Sequence, residues 1–272
     1  MSDLSRDKPF EHISSTANDT VKLLRSLDRK KERQETGLFL AEGAHFVEEA
    51  LINSWTPAYA FADIAALDRG LLLRLRAAGA RVATTSEKVV GAIAGKDNPQ
   101  GIVAAFNQRL TPLPDLRPAP GARYVALYEV RDPGNLGTVI RTADAAGCDG
   151  VILVGTTCDP FSVEAVRATM GSLFAVPLAA ATPDEFFAWR DASKVRVVAA
   201  SMRGDHGHHV ADYGDRSCIL MGNEQAGLPP VLEDRCDELV RIPMVGRAES
   251  LNLAIAAGVM IYEAWRAQDY GS

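Results

Sequence analysis

The sequence predicts an α/β protein: a smaller N-terminal α/β unit followed by a larger α/β domain built on a mainly parallel sheet. Three observations predict it. Beyond residue 122, short apolar runs of strand length alternate with stretches of helical periodicity, a pattern that implies parallel strands with helices on both faces. Before residue 107 the same two periods mix on a smaller scale. Between these regions, Asn107 to Ala122 (NQRLTPLPDLRPAPGA) holds four prolines and a glycine and shows neither period. Fixed φ angles and missing backbone donors exclude helix and central strand there. The expected organisation is 1–106 for a tail and the first unit, 107–122 for a linker, and 123–272 for the second domain.

In the first unit, Val21, Leu23, Leu24 and Leu27 fall at helical spacing, and Gly37 to Leu40 reads as a strand. Ala44 to Leu51 is an expected helix, Tyr59 to Phe61 a strand, and Leu71 to Ala78 a helix closed by Gly79. Val82 to Thr84, a helix near Lys88 to Ala94, and Gly101 to Phe106 complete the unit. In the second domain the expected strands are Tyr124 to Val130, Val151 to Val154, Val195 to Ala200, Cys218 to Met221 and Leu239 to Ile242. The expected helices are Leu136 to Ala146, Val163 to Met170 and a long closing helix from Leu251 to Gln268. Ligands of such sheets bind outside the carboxyl ends of the strands.

Composition narrows the function classes. The chain has 272 residues, ample for buried cores, and no run of eighteen uncharged apolar residues that would span a membrane. Met1 to Asp19 is polar and mixed in charge, without the apolar stretch of a secretion signal, so a cytoplasmic protein is expected. The formal net charge of −6 argues against bulk electrostatic coating of nucleic acid. A local basic cluster remains, Lys22, Arg25, Arg29, Lys30, Lys31 and Arg33, which fits either a solvated helix face or an arm that contacts phosphates. Cys148, Cys158, Cys218 and Cys236 form no Cys-x-x-Cys pair and read as reduced thiols. His206, His208 and His209 read as a polar loop, and no metal site is expected. No glycine-rich dinucleotide fingerprint and no nucleoside-triphosphate loop is present.

Three segments fall at expected strand ends. In the first, Glu129 to Arg141, a Pro-Gly turn leads to Asn135 as a candidate helix N-cap. Leu136, Val139, Ile140 and Ala143 form its buried stripe, and Arg141 sits on the same helix, where it could pair with Asp144. In the second, Ile219 to Pro230, an apolar strand enters a loop in which Gly222 permits close approach of a ligand or another backbone, and Glu224 stands at the strand's end. In the third, Ile242 to Leu253, Ser250 looks like the N-cap of the terminal helix, with Asn252 in its first turn. Ala254, Ala256, Ala257 and Gly258 give that helix a slim face.

Together, in this order and spacing, these segments resemble the SpoU/TrmH family of RNA ribose methyltransferases, of the SPOUT superfamily. The matching features are Asn135 with Arg141, Gly222-Asn223-Glu224 with Gly227, and Ile242-Pro243-Met244 leading to Ser250-Leu251-Asn252. Arg167 to Phe174 with Pro177 resembles the family's connecting segment. Asn18, Lys22, Arg33, Gly37, Phe39, Glu42, Gly43 and Asn98 to Gly101 resemble a ribosomal-protein-like substrate-binding domain. The resemblance implies a C-terminal domain threaded into a trefoil knot, an exception to the near absence of knots. It implies S-adenosyl-L-methionine as cofactor, held by Gly222, Ile242 and Leu251 with apolar walls from Leu220 and Met244. It further implies an RNA 2′-O-methyltransferase acting on ribosomal RNA, with a large-subunit target, working as a homodimer. Transfer RNA, or a catalytically inactive RNA-binding or ribosome-assembly role, are the alternatives. Arg141 would hold the adjacent phosphate and stabilise the developing alkoxide, oriented by Asn135 and Glu224. Ser250 and Asn252 would fix the active-site loop and helix terminus. Lys22, Arg29, Lys30, Lys31 and Arg33 would contact RNA.

Overall fold

The computed structural model describes residues 9–63, 65–66 and 69–271; the expected polar tail over residues 1–8 lies outside them. The described residues form two compact units.

The first unit runs to Gln108 and also takes in Phe161–Ala175. Its elements are β1 (Glu11–His12), α1 (Asp19–Ser26), α2 (Lys30–Thr36), β2 (Leu38–Glu42), α3 (Ala44–Ile52), β3 (Tyr59–Asp63), α4 (Arg69–Ala77), β4 (Arg81–Thr85), α5 (Glu87–Ala94) and β5 (Ile102–Asn107). The five strands order as β1-β4-β3-β5-β2, with β5 antiparallel to both neighbours. Asn18 caps α1 by accepting from the Thr20 and Val21 backbone N–H groups, and this fixes the helix that buries Val21, Leu24 and Leu27 on the sheet.

Arg33 departs from its expected role. Its side chain is buried, and its guanidinium donates to the Leu27 and Asp28 carbonyls at 2.8 and 2.7 Å. It therefore closes the turn between α1 and α2, because those carbonyls would otherwise lack partners. An arginine committed in this way is not presented to a phosphate.

The segment Phe161–Ala175, expected to lie within the second domain, supplies part of the first unit's core. Its seven-residue helix Val163–Thr169 is too short to persist alone, and it packs on β2. The Phe161 ring lies 5.0 Å from Phe39, and the Phe174 ring lies 5.0 Å from Phe106 and 5.3 Å from Trp55, centroid to centroid. The Trp55 indole N–H donates to the Phe174 carbonyl at 3.1 Å. These rings form an aromatic cluster that the strand residues Phe39 and Phe106 cannot complete by themselves.

The second unit holds Arg109–Pro160 and the residues from Val176 on. After β6 (Arg123–Tyr128), α6 (Pro133–Ala145) and β7 (Gly150–Val154), the chain passes through α7, the Val163–Thr169 helix already described. It returns as β8 (Leu178–Ala181), α8 (Pro183–Ser193), β9 (Arg196–Ala200), β10 (His206–Gly207), β11 (Ser217–Met221), α9 (Pro230–Glu233), β12 (Glu238–Arg241) and α10 (Leu253–Ala267). The seven strands, all parallel, order as β10-β12-β9-β11-β6-β7-β8. The parallel α/β expectation holds. β7 and β11 are buried along their whole length, as central strands covered on both faces must be.

The proline-rich stretch expected as a linker is fastened to this unit. Leu113 and Leu116 are buried in its core, Thr111 donates to the Leu178 carbonyl at 2.7 Å, and the Trp189 indole donates to the Leu116 carbonyl at 2.9 Å. The stretch is not wholly irregular: a single 3-10 turn over Leu113–Asp115, preceded by Pro112 and containing Pro114, is too short to be a regular helix, and the two leucines carry the burial. The strand β8 and helix α8 have no counterpart among the expected elements. Thr182 and Glu185 form a reciprocal capping box with Pro183 at the first helical position, a legible helix start.

Candidate functional site at the strand carboxyl ends

Parallel strands bring every strand-to-helix loop of the second unit to one edge of the sheet. The chain leaves β6 toward β7 on one side, while β11 and β9 lie on the other, and this reversal of order opens a crevice at the strand ends. A cleft of about 480 Å³ lies there. It is lined by the ends of β9, β11 and β12, the loops that follow them and the start of α10.

The residues expected to hold a cofactor mostly meet in this cleft. Gly222, Ile242, Met244 and Leu251 line it, with Ser250 and Glu224. Leu220 does not. Side chains alternate across a strand, so Leu220 joins Cys218 in the core on one face of β11, and Met221 turns to the cleft instead. At Gly222 the question of ligand or backbone resolves in favour of backbone. A Cβ there would lie 2.3 Å from the Gly227 carbonyl carbon, where Asn223 and Gly227 pair across the loop.

Three loops are joined by one chain of hydrogen bonds. The Glu224 carboxylate accepts from the backbone N–H groups of Arg131 and Asp132, each at 3.1 Å, and from the Asn135 amide at 3.3 Å. The Asn252 amide in turn donates to Asn135 Oδ1 at 2.9 Å. Residues from the loops after β6, β11 and β12 are thus tied together, as the grouping of the three sequence segments implied. Two capping assignments change. Asp132, not Asn135, caps α6 and accepts the Asn135 N–H at 2.6 Å, because Pro133 starts the helix earlier than expected. Asn252, not Ser250, caps α10 by accepting from Ala254 and Ile255.

Arg141 sits on α6, exposed, and makes no hydrogen bond or ion pair to any described residue, Asp144 included. Glu224 and Asn135 therefore do not orient it; they hold one another. Its neighbours Leu136, Val139, Ile140 and Ala143 are fully buried, so the helix that carries it is rigidly seated. Gly258 of α10 faces Thr142 of α6, where a Cβ would stand 3.7 Å from the threonine methyl, consistent with the slim helix face.

Sequence reasoning missed one wall of the cleft. Ser201, Arg203 and Glu233 line it, and the buried Glu233 carboxylate accepts from the Ser201 hydroxyl and pairs with Arg203 at 2.7 Å. The rule that ligands gather at strand carboxyl ends would have singled out the segment after β9. His206, in a short strand and turn, lies 2.7 Å from Glu238. Among the described residues no group of three or more His, Cys, Asp or Glu side chains could hold a metal ion.

Partial burial pushes the Glu224 carboxyl up, but the backbone N–H groups and the Asn135 amide outweigh it and hold the group below the ordinary carboxylate range. A depressed folded-state value means the brace stabilises the fold above the unfolded value of about 4.3. That contribution is lost as pH falls through the lower, folded value. Acid unfolding followed by circular dichroism should show a steeper loss for the wild type than for Glu224→Gln between about pH 5 and 2. Superimposable curves would mean that the Glu224 brace adds nothing to stability.

Comparison with known proteins is specific over both units. The SpoU rRNA Methylase family matches residues 122–262, and the MRM3-like substrate binding domain matches residues 18–104. A 23S rRNA (guanosine(2553)-2′-O)-methyltransferase of Bacillus subtilis is 32% identical over 253 residues, which cover 93% of this chain and 98% of that protein. The solved structure of an AdoMet-bound rRNA methyltransferase from Sinorhizobium meliloti is 47% identical with a TM-score of 0.89, covering 94% of this chain and 98% of that one. The SpoU methyltransferase AviRb from Streptomyces viridochromogenes, solved with AdoMet, is 28% identical with a TM-score of 0.83 over 94% of this chain and all of its own.

Proposed function

The chain belongs to the SpoU rRNA methylase family, and we propose that it transfers a methyl group from S-adenosylmethionine to a ribose 2′-hydroxyl of large-subunit ribosomal RNA. The observation that carries this reading is the Glu224–Asn135–Asn252 chain of hydrogen bonds, which assembles three separated loops beside a cleft of about 480 Å³. The cleft fits the cofactor. Met221, Ile242, Met244 and Leu251 give apolar walls for an adenosine, and the backbone of the Gly222–Leu228 loop offers polar groups at its rim.

When bound, the cofactor supplies an electrophilic methyl group. The protein's task is to fix the acceptor oxygen and to support its loss of a proton. Arg141 is the wrong group to remove that proton, since its pKa exceeds about 12. Its guanidinium, unpaired among the described residues, suits a phosphate next to the acceptor and the charge that develops on the ribose oxygen. Glu224, Asn135 and Asn252 keep the loops in register, and Ser250 lines the cleft beside them.

The same reading extends to assembly and place. A homodimer is supported by Ile255 and Tyr262, seven residues apart on α10 and exposed at 58% and 44%. A trefoil knot is supported by the order of the strands. β11 lies between β6 and β9, yet after β12 the chain comes back to lay α10 against α6. The expected cytoplasmic location accords with a ribosomal substrate, and no helix among the described residues is long and apolar enough to cross a membrane.

In the first unit, RNA contact falls to Lys22, Arg29, Lys30 and Lys31, all exposed. Among the described residues, Lys22, Arg29 and Lys31 each pair only with a neighbour on their own helix or turn, at Asp19, Glu32 and Glu35, and such exposed pairs are weak enough for a phosphate to displace. Reversing Lys30 and Lys31 to Glu should weaken RNA binding and lower the slope of log affinity against log salt by roughly 1.5 to 2. A filter-binding series in which that slope is unchanged would return the cluster to a solvated helix face.

The test of the whole reading is transfer of a labelled methyl group to ribosomal RNA by the purified protein, with ribose methylation mapped in cells with and without the gene. If no ribose gains a methyl group in either assay, the reading is lost.

A further inference from the structure

A second concavity of the catalytic unit, about 430 Å³, lies across the β11 loop from the cofactor cleft. Tyr128, Glu129 and Arg131 at the end of β6 form one side of it, and Asn223, Gln225 and Pro229 form the other. Residues 223 and 225–227 line both hollows, so a ligand held in one is a loop's width from a ligand held in the other.

Its rim is built under strain. Glu129 has φ +48°, a left-handed conformation costly for a residue with a side chain. Two bonds hold it there: its N–H donates to the Val154 carbonyl at 3.0 Å, and its carbonyl accepts from the Asn223 amide at 2.8 Å. Gly155 stands behind, where a Cβ would come within 3.2 Å of the Glu129 side chain and 3.5 Å of the Tyr128 ring. The distortion aims the Glu129 carboxylate at Arg131, which pairs with it at 3.3 Å and is itself largely exposed. The Gln225 carboxamide, exposed on the facing side, has no hydrogen bond to any described residue.

An aromatic wall, an acid, a guanidinium and an unengaged amide are the groups that recognise an unstacked nucleobase. The need for such a site is chemical. Methylation at a 2′-hydroxyl touches only the ribose, which every nucleotide shares, so the reacting sugar must be positioned through something beyond it. We propose that this concavity receives the base of the nucleotide whose ribose is methylated, with Tyr128 as its stacking surface and Gln225 reading its edge. The proposal rests on the methyltransferase reading and adds to it the handle by which the acceptor is held. Tyr128 and Gln225 are positioning residues here, since neither is placed at the reacting atoms.

The experiment uses the full-length protein, S-adenosylmethionine with a labelled methyl group, and a 23S rRNA transcript on which the methylated nucleotide is first located. Two short RNAs containing that nucleotide are then compared, one intact and one with that single base removed. On removal of the base, kcat/KM of the wild type should fall about tenfold or more, the size expected for one stacked base. Tyr128→Ala should lose a similar factor on intact RNA, but the two losses should not multiply. Cofactor affinity, read by calorimetry, should stay within about twofold for that variant, since Tyr128 does not line the cofactor cleft. Tyr128 also packs against the core, so Gln225→Ala, an exposed change, serves as the second variant and should show the same non-multiplying pattern. Losses that multiply in both variants, or a wild type indifferent to the missing base, would overturn the base site while leaving the methyltransferase standing. A wild type that binds no cofactor and methylates no RNA would overturn both.

Discussion

Arg141→Ala is expected to lower the rate of methyl transfer by about 10² to 10³, the usual cost of removing one preorganised donor from a developing oxyanion. The affinity for S-adenosylmethionine should stay within a few-fold, because Arg141 does not line the cofactor cleft. The variant should also fold normally: the side chain is exposed, carries no bond to the described residues, and sits on a helix seated by four fully buried neighbours. Single-turnover methylation together with calorimetric cofactor binding separates the outcomes. Near-normal turnover would remove Arg141 from the chemistry, whereas parallel loss of cofactor binding would assign it to the cofactor. Lysine at the same position should restore only part of the rate, since an ammonium cannot reproduce the forked geometry of a guanidinium on a phosphate.

Phe174→Ala is expected to have the largest effect on stability, about 3 to 5 kcal/mol. Its ring is 4% exposed and touches three others, Phe39, Phe106 and Trp55. Truncation opens a hole in the middle of that cluster, which interlocked rings cannot collapse to fill. Chemical denaturation should report the loss in the transition of the first unit. If the denaturation midpoint barely moves, the cluster does not hold that unit's core.

The fold class was legible because parallel α/β architecture writes itself into alternating periods, and the apolar runs Val151 to Val154 and Cys218 to Met221 make up most of β7 and β11. The grouping of Asn135, Glu224 and Asn252 was legible only through the family resemblance: these residues lie 89 and 117 positions apart in bonded pairs, and no local pattern reports such distances. Arg33 misled because an arginine among lysines looks the same whether its guanidinium faces water or backbone carbonyls. The capping assignments slipped from Asp132 to Asn135 and from Asn252 to Ser250 for a related reason. Several cap-forming residues stand in each loop, and which one caps depends on where the chain turns. Leu220 was misplaced by a single step of strand alternation, which exchanges core for cleft.

The aromatic cluster of the first unit draws two of its rings from a stretch that lies more than fifty residues downstream of Gln108. A gene fragment ending near Gln108 would therefore encode a sheet with Phe39, Phe106 and Trp55 left uncovered, prone to stick to whatever apolar surface it met. The substrate-binding half is thus not one continuous cassette: a chimera built from it should carry Phe161–Ala175 as well, or meet a recipient whose own segment covers the same rings.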